Sequence, residues 1–278
     1  MITELRFAAH PEDVKQYDTE KLRKEFLITS LFLENEITMV YSMYDRYIVG
    51  GAMPVGKELL LESFDELKAE TFLDRREMGI INVGGDAEVS FGKDNYMLKY
   101  KEALYLGRGT PDVYFKSVND ENPARLYLNS APAHCTYPSR KVTLSDAEIM
   151  TLGSSETSNL RVVNKLLVNS VIKTCQLQMG MTELKQGSVW NTMPVHTHAR
   201  RMEAYFYFDV PEGQAVCHFM GQHNETRHLW MKNDEAVLSP AWSIHSGAGT
   251  SNYCFVWGMA GENLDYSDMD IYKITDLK

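Results

Sequence analysis

Over much of the chain, apolar and polar residues alternate in short runs broken by turn formers, the two-residue period of half-buried strands. Such runs cover Ile37–Tyr41, Arg46–Val49, Gly79–Val83, Ala87–Phe91, Tyr96–Tyr100, Ala103–Leu106, Asp112–Phe115 and Arg125–Leu128. After a polar stretch around Ser145–Asn159, a second series occupies Cys175–Leu184, Tyr205–Val210, Ala215–Met220, Arg227–Met231, Ala236–Leu238 and Tyr253–Met259. Helix is expected only near the start, where Pro11-Glu12-Asp13-Val14 and Thr19-Glu20-Lys21-Leu22 supply polar caps and first-turn acids. The pattern predicts an all-β (mainly β) chain of sandwich or barrel type behind a short helical N-terminal segment.

The two series match each other as diverged copies. Met53-Pro54-Val55-Gly56 parallels Met193-Pro194-Val195-His196, and Arg75-Arg76-Glu77-Met78 parallels Arg200-Arg201-Met202-Glu203. Glu102-Ala103 runs to Asp112 over the same interval that carries Glu235-Ala236 to His245. Three matches in one order predict a tandem duplication: a helical segment over 1–34, one β domain over 35–140 and a second over 141–278.

Composition narrows the classes of partner. The 278 residues carry 28 Lys+Arg against 38 Asp+Glu, a formal charge of −10, which disfavours nucleic-acid and anionic-membrane binding. An anionic substrate would need local positive charge. No run of about 18 apolar residues is present, and Met1-Ile2-Thr3-Glu4-Leu5-Arg6 lacks a signal-peptide pattern. Cys135, Cys175, Cys217 and Cys254 are dispersed with no CxxC pair, so reduced thiols and a cytoplasmic location are expected.

The chemistry concentrates in the second copy. His196-Thr197-His198 on a strand puts two imidazoles on one face, about 7 Å apart along the chain. Glu203 follows, and Pro240-x-Trp242-x-x-His245 brings a third imidazole from another strand. Three nitrogens and a carboxylate are a zinc-type ligand set. The first copy has Gly56, Leu73 and Asp112 near the equivalent places and no His-x-His, so the site is expected in the second copy alone. His218, among apolar neighbours, fits a core histidine, and His10 an exposed one. His134, His223 and His228 carry weaker signals.

These residues resemble the two motifs of the cupin superfamily, His-x-His with a following Glu and then Pro-x-Gly-x-x-His. The departures are Trp242 at the second motif's glycine, Gly249 where Asn often stands, and longer spacing before His196. The longer strings Asn191-Thr192-Met193-Pro194-Val195-His196-Thr197-His198, Glu225-Thr226-Arg227-His228 and Ser239-Pro240-Ala241-Trp242-Ser243-Ile244-His245 resemble the 5-keto-4-deoxyuronate isomerase family. Ala131-Pro132-Ala133-His134 and Asp268-Met269-Asp270 extend the likeness over essentially the whole chain.

The resemblance implies a bicupin, two tandem jelly-roll sandwiches, that isomerises 5-dehydro-4-deoxy-D-glucuronate to 3-deoxy-D-glycero-2,5-hexodiulosonate in pectin and uronate breakdown. It further implies one Zn2+ per chain on His196, His198, Glu203 and His245, and a homohexamer. A ketol shift also needs a group that moves a proton, for which His134, His228, Tyr205 and Glu225 are candidates. A guanidinium should meet the substrate carboxylate, with Arg161, Arg200, Arg201 and Arg227 as candidates. The same ligand set also fits an iron or manganese dioxygenase, and a non-catalytic sugar-acid-binding cupin is the third reading.

Overall fold

In the computed structural model, which describes residues 1–262 and 264–278, strands dominate and the α-helices are Pro11–Val14 and Thr19–Phe26. The Asp18 side chain caps the longer helix by accepting from the Lys21 amide at 2.8 Å. Leu22 and Phe26, one turn apart, form its buried face.

The chain divides into two compact units. Met1–Arg6, Ser30–Glu148 and Leu166–Met179 make up the first; Phe7–Thr29, Ile149–Lys165 and Gly180–Lys278 make up the second. The helical segment therefore falls with the second unit.

In the first unit the large sheet runs, neighbour to neighbour, Ile2–Arg6, Ile37–Ser42, Ile48–Ala52, Leu126–Pro132, Arg76–Asn82, Ala103–Leu106 and Arg140–Val142. Its smaller sheet runs Leu59–Leu60, Val113–Ser117, Ala87–Phe91 and Asp94–Leu98. Met39, Met78, Ile80 and Leu104 from the large sheet join Val89 and Phe115 from the small one in a single apolar cluster. Met78 stands opposite Ser130 on one side and Leu106 on the other. Among the buried charged residues of this unit, Glu77 has the fullest set of partners. The Glu77 carboxylate, 0% exposed, accepts from the Tyr105 hydroxyl at 2.6 Å and from the amides of Cys175, Gln176 and Leu177 at 2.7, 2.8 and 2.8 Å. Four donors satisfy it in place of water.

The second large sheet runs Glu148–Leu152, Arg161–Leu167, Gln178–Leu184, Cys254–Gly261, Arg201–Phe208, Glu235–Ser239 and Leu27–Ile28. The second small sheet runs Trp190–Asn191, Ser246–Gly249, Val216–Gln222 and Glu225–Met231. The five central strands of each large sheet and the four of each small sheet follow the same chain-order permutation, so the duplication legible in the motifs is also a duplication of topology. Each unit is a two-sheet, cupin-like sandwich, and among the described residues neither pair of sheets closes into a barrel.

Several strands lie where none was expected, the mostly buried Arg161–Leu167 and the five-residue strands Ile2–Arg6 and Glu148–Leu152 among them. Ile2–Arg6 pairs parallel to Ile37–Ser42, and Glu148–Leu152 sits inside the polar stretch. Ile2–Arg6 and Glu148–Leu152 are edge strands with mostly exposed side chains, so backbone pairing rather than apolar alternation defines them. No described helix is long and apolar enough to cross a membrane.

Candidate metal centre

The site is assembled from three short pieces of the second unit. His196 and Thr197 form a two-residue strand against Asp270–Ile271. Alternation turns Thr197 away, its hydroxyl 3.2 Å from that of Tyr272, while His196 and His198 share a face with Nε2 atoms 3.1 Å apart. Glu203 comes from the central strand Arg201–Phe208, where the same period aligns Arg201, Glu203, Tyr205 and Tyr207. His245 follows the turn Pro240–Ser243. The Ser243 amide donates to the Pro240 carbonyl at 2.9 Å and its hydroxyl accepts from the Gly221 amide at 2.9 Å, fixing the chain just before the imidazole. Trp242, the residue in place of the motif glycine, meets Phe26 edge-on at 6.2 Å, so it fastens the N-terminal helix to this turn.

The donor atoms converge. His245 Nε2 lies 3.0 Å from His196 Nε2 and 2.9 Å from Glu203 Oε2, and His198 Nε2 lies 3.2 Å from the same oxygen. All four ligand atoms lie within 4.8 Å of one another. Donors held at about 2.0–2.2 Å from a common point are about 3 Å apart at right angles and about 3.5 Å apart at tetrahedral angles, so the set fits a metal ion. The orientation agrees. His198 Nδ1–H donates to the Asp268 carbonyl at 2.9 Å, which leaves the Nε2 lone pair aimed inward. Arg201, 3.1 Å from that Nδ1, gives its own hydrogens to the carbonyls of Asp265 and Tyr266 at 2.7 and 3.2 Å.

Electrostatics favours the ligating protonation states. Burial, then His245 and His198, lowers the His196 imidazole to about 2, so it is a neutral lone-pair donor. Burial alone would raise the Glu203 carboxyl, but the neighbouring His245 and His198 overcome it and hold the group well below the carboxylate range.

His196, His198 and Glu203 open onto a cavity of about 230 Å³, which Arg161, Tyr205 and Trp257 also line. At about 30 Å³ per water this is a space of seven or eight waters, the scale of one small sugar. Of the four proton-transfer candidates, Tyr205 is the one among the cavity's described lining residues. Its hydroxyl is 2.8 Å from Thr192 Oγ1, and burial followed by the charge of Glu203 raises it well above its ordinary value, so it stays protonated. His228 is exposed, Glu225 pairs with Arg227 at 2.7 Å, and His134 belongs to the first unit. Of the four arginines, Arg161 lines the cavity. Arg200 is exposed and 3.6 Å from Glu262, Arg227 is held by Glu225 and the Lys15 carbonyl, and Arg201 is spent on the carbonyls above. His218 is a core residue, its Nδ1 2.8 Å from the Tyr207 hydroxyl.

The sequence reading missed Thr192 as the partner of Tyr205 and the three carbonyls that brace His198 and Arg201. A backbone acceptor has no residue signature, whereas a threonine at the edge of the His-x-His string is a signal that was there to be used.

Comparison with known proteins agrees with this geometry. A family model described as the KduI/IolB family matches residues 27–274. The chain is 63% identical over 275 residues to the 4-deoxy-L-threo-5-hexosulose-uronate ketol-isomerase 1 of Bacteroides thetaiotaomicron, covering 99% of this chain and 98% of that one. It is 50% identical over 277 residues to the 4-deoxy-L-threo-5-hexosulose-uronate ketol-isomerase of Yersinia pseudotuberculosis, covering 99% and 100%. Among solved structures, an IolB-like protein of Salmonella typhimurium superposes with a TM-score of 0.65 at 18% identity, over 81% of this chain and 86% of that one. The oxalate decarboxylase of Lactobacillus farciminis gives 0.55 at 9% identity, over 81% and 79%. At such identities these two likenesses speak for the fold alone.

Proposed function

The chain belongs to the KduI/IolB family and is a ketol-isomerase of uronate metabolism, and on that premise we propose that it acts on 4-deoxy-L-threo-5-hexosulose uronate with the help of zinc. The product is 3-deoxy-D-glycero-2,5-hexodiulosonate. The observation that carries this reading is the convergence of His196, His198, Glu203 and His245 beside a cavity that also holds Arg161 and Tyr205.

His196, His198, Glu203 and His245 would hold the metal, whose contribution when bound is Lewis-acid stabilisation of the negative charge that an enediolate carries. The remaining steps fall to the chain. Arg161, its guanidinium anchored by an Nη1 bond to the Asn159 carbonyl at 2.9 Å, meets the substrate carboxylate. This local charge answers the net −10 of the molecule. Tyr205 Oη, held by Thr192, donates a hydrogen bond to the carbonyl oxygen that becomes a hydroxyl and passes its proton there. The neighbouring hydroxyl, which becomes the carbonyl, returns a proton to Tyr205, so that the net change is one hydrogen moved between the adjacent carbons. Phe255, Trp257 and Met259 supply the apolar wall that limits water at the reacting carbons. A cytoplasmic homohexamer with one zinc per chain completes the reading, on family resemblance.

The test is incubation of the full chain with the unsaturated-uronate-derived ketoaldehyde, followed by NMR. Conversion to the diketo acid, abolished by chelator and restored by zinc, is expected. Zinc-loaded protein that leaves the ketoaldehyde unchanged would overturn the proposal.

A further inference from the structure

We infer that Cys135, Cys175 and His134, in the unit that lacks the His-x-His set, form a second cation site fitted to a thiophilic d10 ion such as zinc or cadmium. The two sulfurs are 3.6 Å apart, and the ligand atoms of all three residues lie within 4.8 Å of one another. Two thiolates at about 2.3 Å from a tetrahedral ion are about 3.75 Å apart, while a disulfide needs about 2.05 Å. The spacing is that of a chelate.

The backbone on both sides holds this spacing. The Cys175 amide donates to Glu77 at 2.7 Å, and the Gln176 side chain donates to the Pro132 carbonyl at 2.6 Å. On the other arm the Ala133 amide donates to the Arg75 carbonyl at 2.8 Å. Arg108 Nη1 donates to the carbonyls of Ala133 and His134 at 3.2 and 3.3 Å. Drawing the sulfurs together by more than an ångström would break this bracing, whereas a cation between them would not.

The chemistry suits a cation as well. The Cys175 thiol hydrogen points at the Cys135 carbonyl at 3.2 Å, and a metal would take its place on the sulfur. The buried Glu77 carboxylate adds negative charge beside it. His134 is exposed and Cys135 half-buried, which gives an entry path, and three protein ligands leave a fourth position for water.

Cadmium is the probe, because sulfur-to-metal charge transfer in the near ultraviolet reports thiolate ligands and the His/Glu centre has none. Titrating the reduced full chain is expected to give one cadmium-thiolate equivalent that His196→Ala and Cys217→Ser retain. Cys135→Ser, at a half-buried position, is expected to lose it, and His134→Ala to weaken it about tenfold or more against a competing chelator. An absent band in the wild-type chain, or a band that survives Cys135→Ser, would overturn the site. So would a purified chain whose mass is lower by two hydrogens that reductant restores at Cys135 and Cys175. None of these readouts depends on isomerase turnover, so this inference and the proposed function fail separately.

Discussion

Met78 occupies in the first unit the sheet position that Glu203 occupies in the second. Each is the third residue of its central strand, Arg76–Asn82 or Arg201–Phe208, and each has a neighbour on both sides in the ladder. Met78 is 0% exposed inside the apolar cluster, so the position that presents a carboxylate in the second unit is core in the first. Met78→Glu is expected to destabilise the chain by about 3 kcal/mol or more, because no cation or donor set awaits the new charge. Urea unfolding checks this, and a loss under about 1 kcal/mol would contradict it.

Glu203→Gln keeps the shape and removes the charge that completes the ligand set. Zinc affinity should fall by more than the roughly 10–100-fold typical of outer partners, with turnover falling in parallel. Metal analysis after dialysis, alongside kinetics, decides. Full occupancy with lost turnover would assign Glu203 a different role.

Tyr205→Phe removes one hydroxyl from the cavity and leaves the four ligands in place. The expected result is unchanged zinc content with kcat lower by about 10²–10⁴, and a smaller loss in Thr192→Val. Equal rates for wild type and Tyr205→Phe would remove Tyr205 from the mechanism.

Arg161→Ala should separate binding from chemistry. Loss of a charge-assisted pair with the substrate carboxylate predicts KM higher by roughly tenfold to a hundredfold, with kcat little changed. The same substitution at exposed Arg200 is expected to leave both constants alone.

Acid sensitivity follows from two imidazoles drawn out of water, His218 buried and His196 half-buried. Burial, and after it His245, lowers His196 to about 2 and His218 to about 3. In the unfolded chain each takes up a proton near pH 6.5. Below that pH the unfolded state binds more protons than the folded one. The stability is therefore full above about pH 6.5 and is lost progressively as the pH falls towards 3, by up to about 1.4 kcal/mol per pH unit for each histidine. Denaturant curves of chelator-treated protein at pH 7, 6 and 5 should show the midpoint falling; a flat series would refute it.

Much of this architecture was legible because burial leaves a period. Ala87–Phe91 and Ala103–Leu106 match the expected strands residue for residue, since their apolar positions line a core. The convergence of His196, His198, Glu203 and His245 was legible because residues two apart on a strand share a face and the cupin-like motifs tie Glu203 and His245 to that pair. Ile2–Arg6 was not legible, its pairing being made by backbone atoms under exposed side chains. Nor did local sequence around residues 19–26 show that Phe26 would find Trp242. Choosing Arg161 from four arginines required knowing which others were already spent on Glu225, Glu262 and main-chain carbonyls.

The short strand Leu27–Ile28 pairs with Glu235–Ser239, Leu27 opposite Val237, a separation of 210 residues (237 minus 27). During synthesis Leu27–Ile28 therefore waits for a partner made much later. At about 5–20 residues per second that interval is roughly 10–40 s. Through it the apolar side chains of Phe26, Leu27 and Ile28, buried in the finished molecule, lack their native cover. The half that gathers His196, His198, Glu203 and His245 is thus completed only after Val237 has been made, and Phe26, Leu27 and Ile28 are residues a nascent-chain chaperone would meet meanwhile.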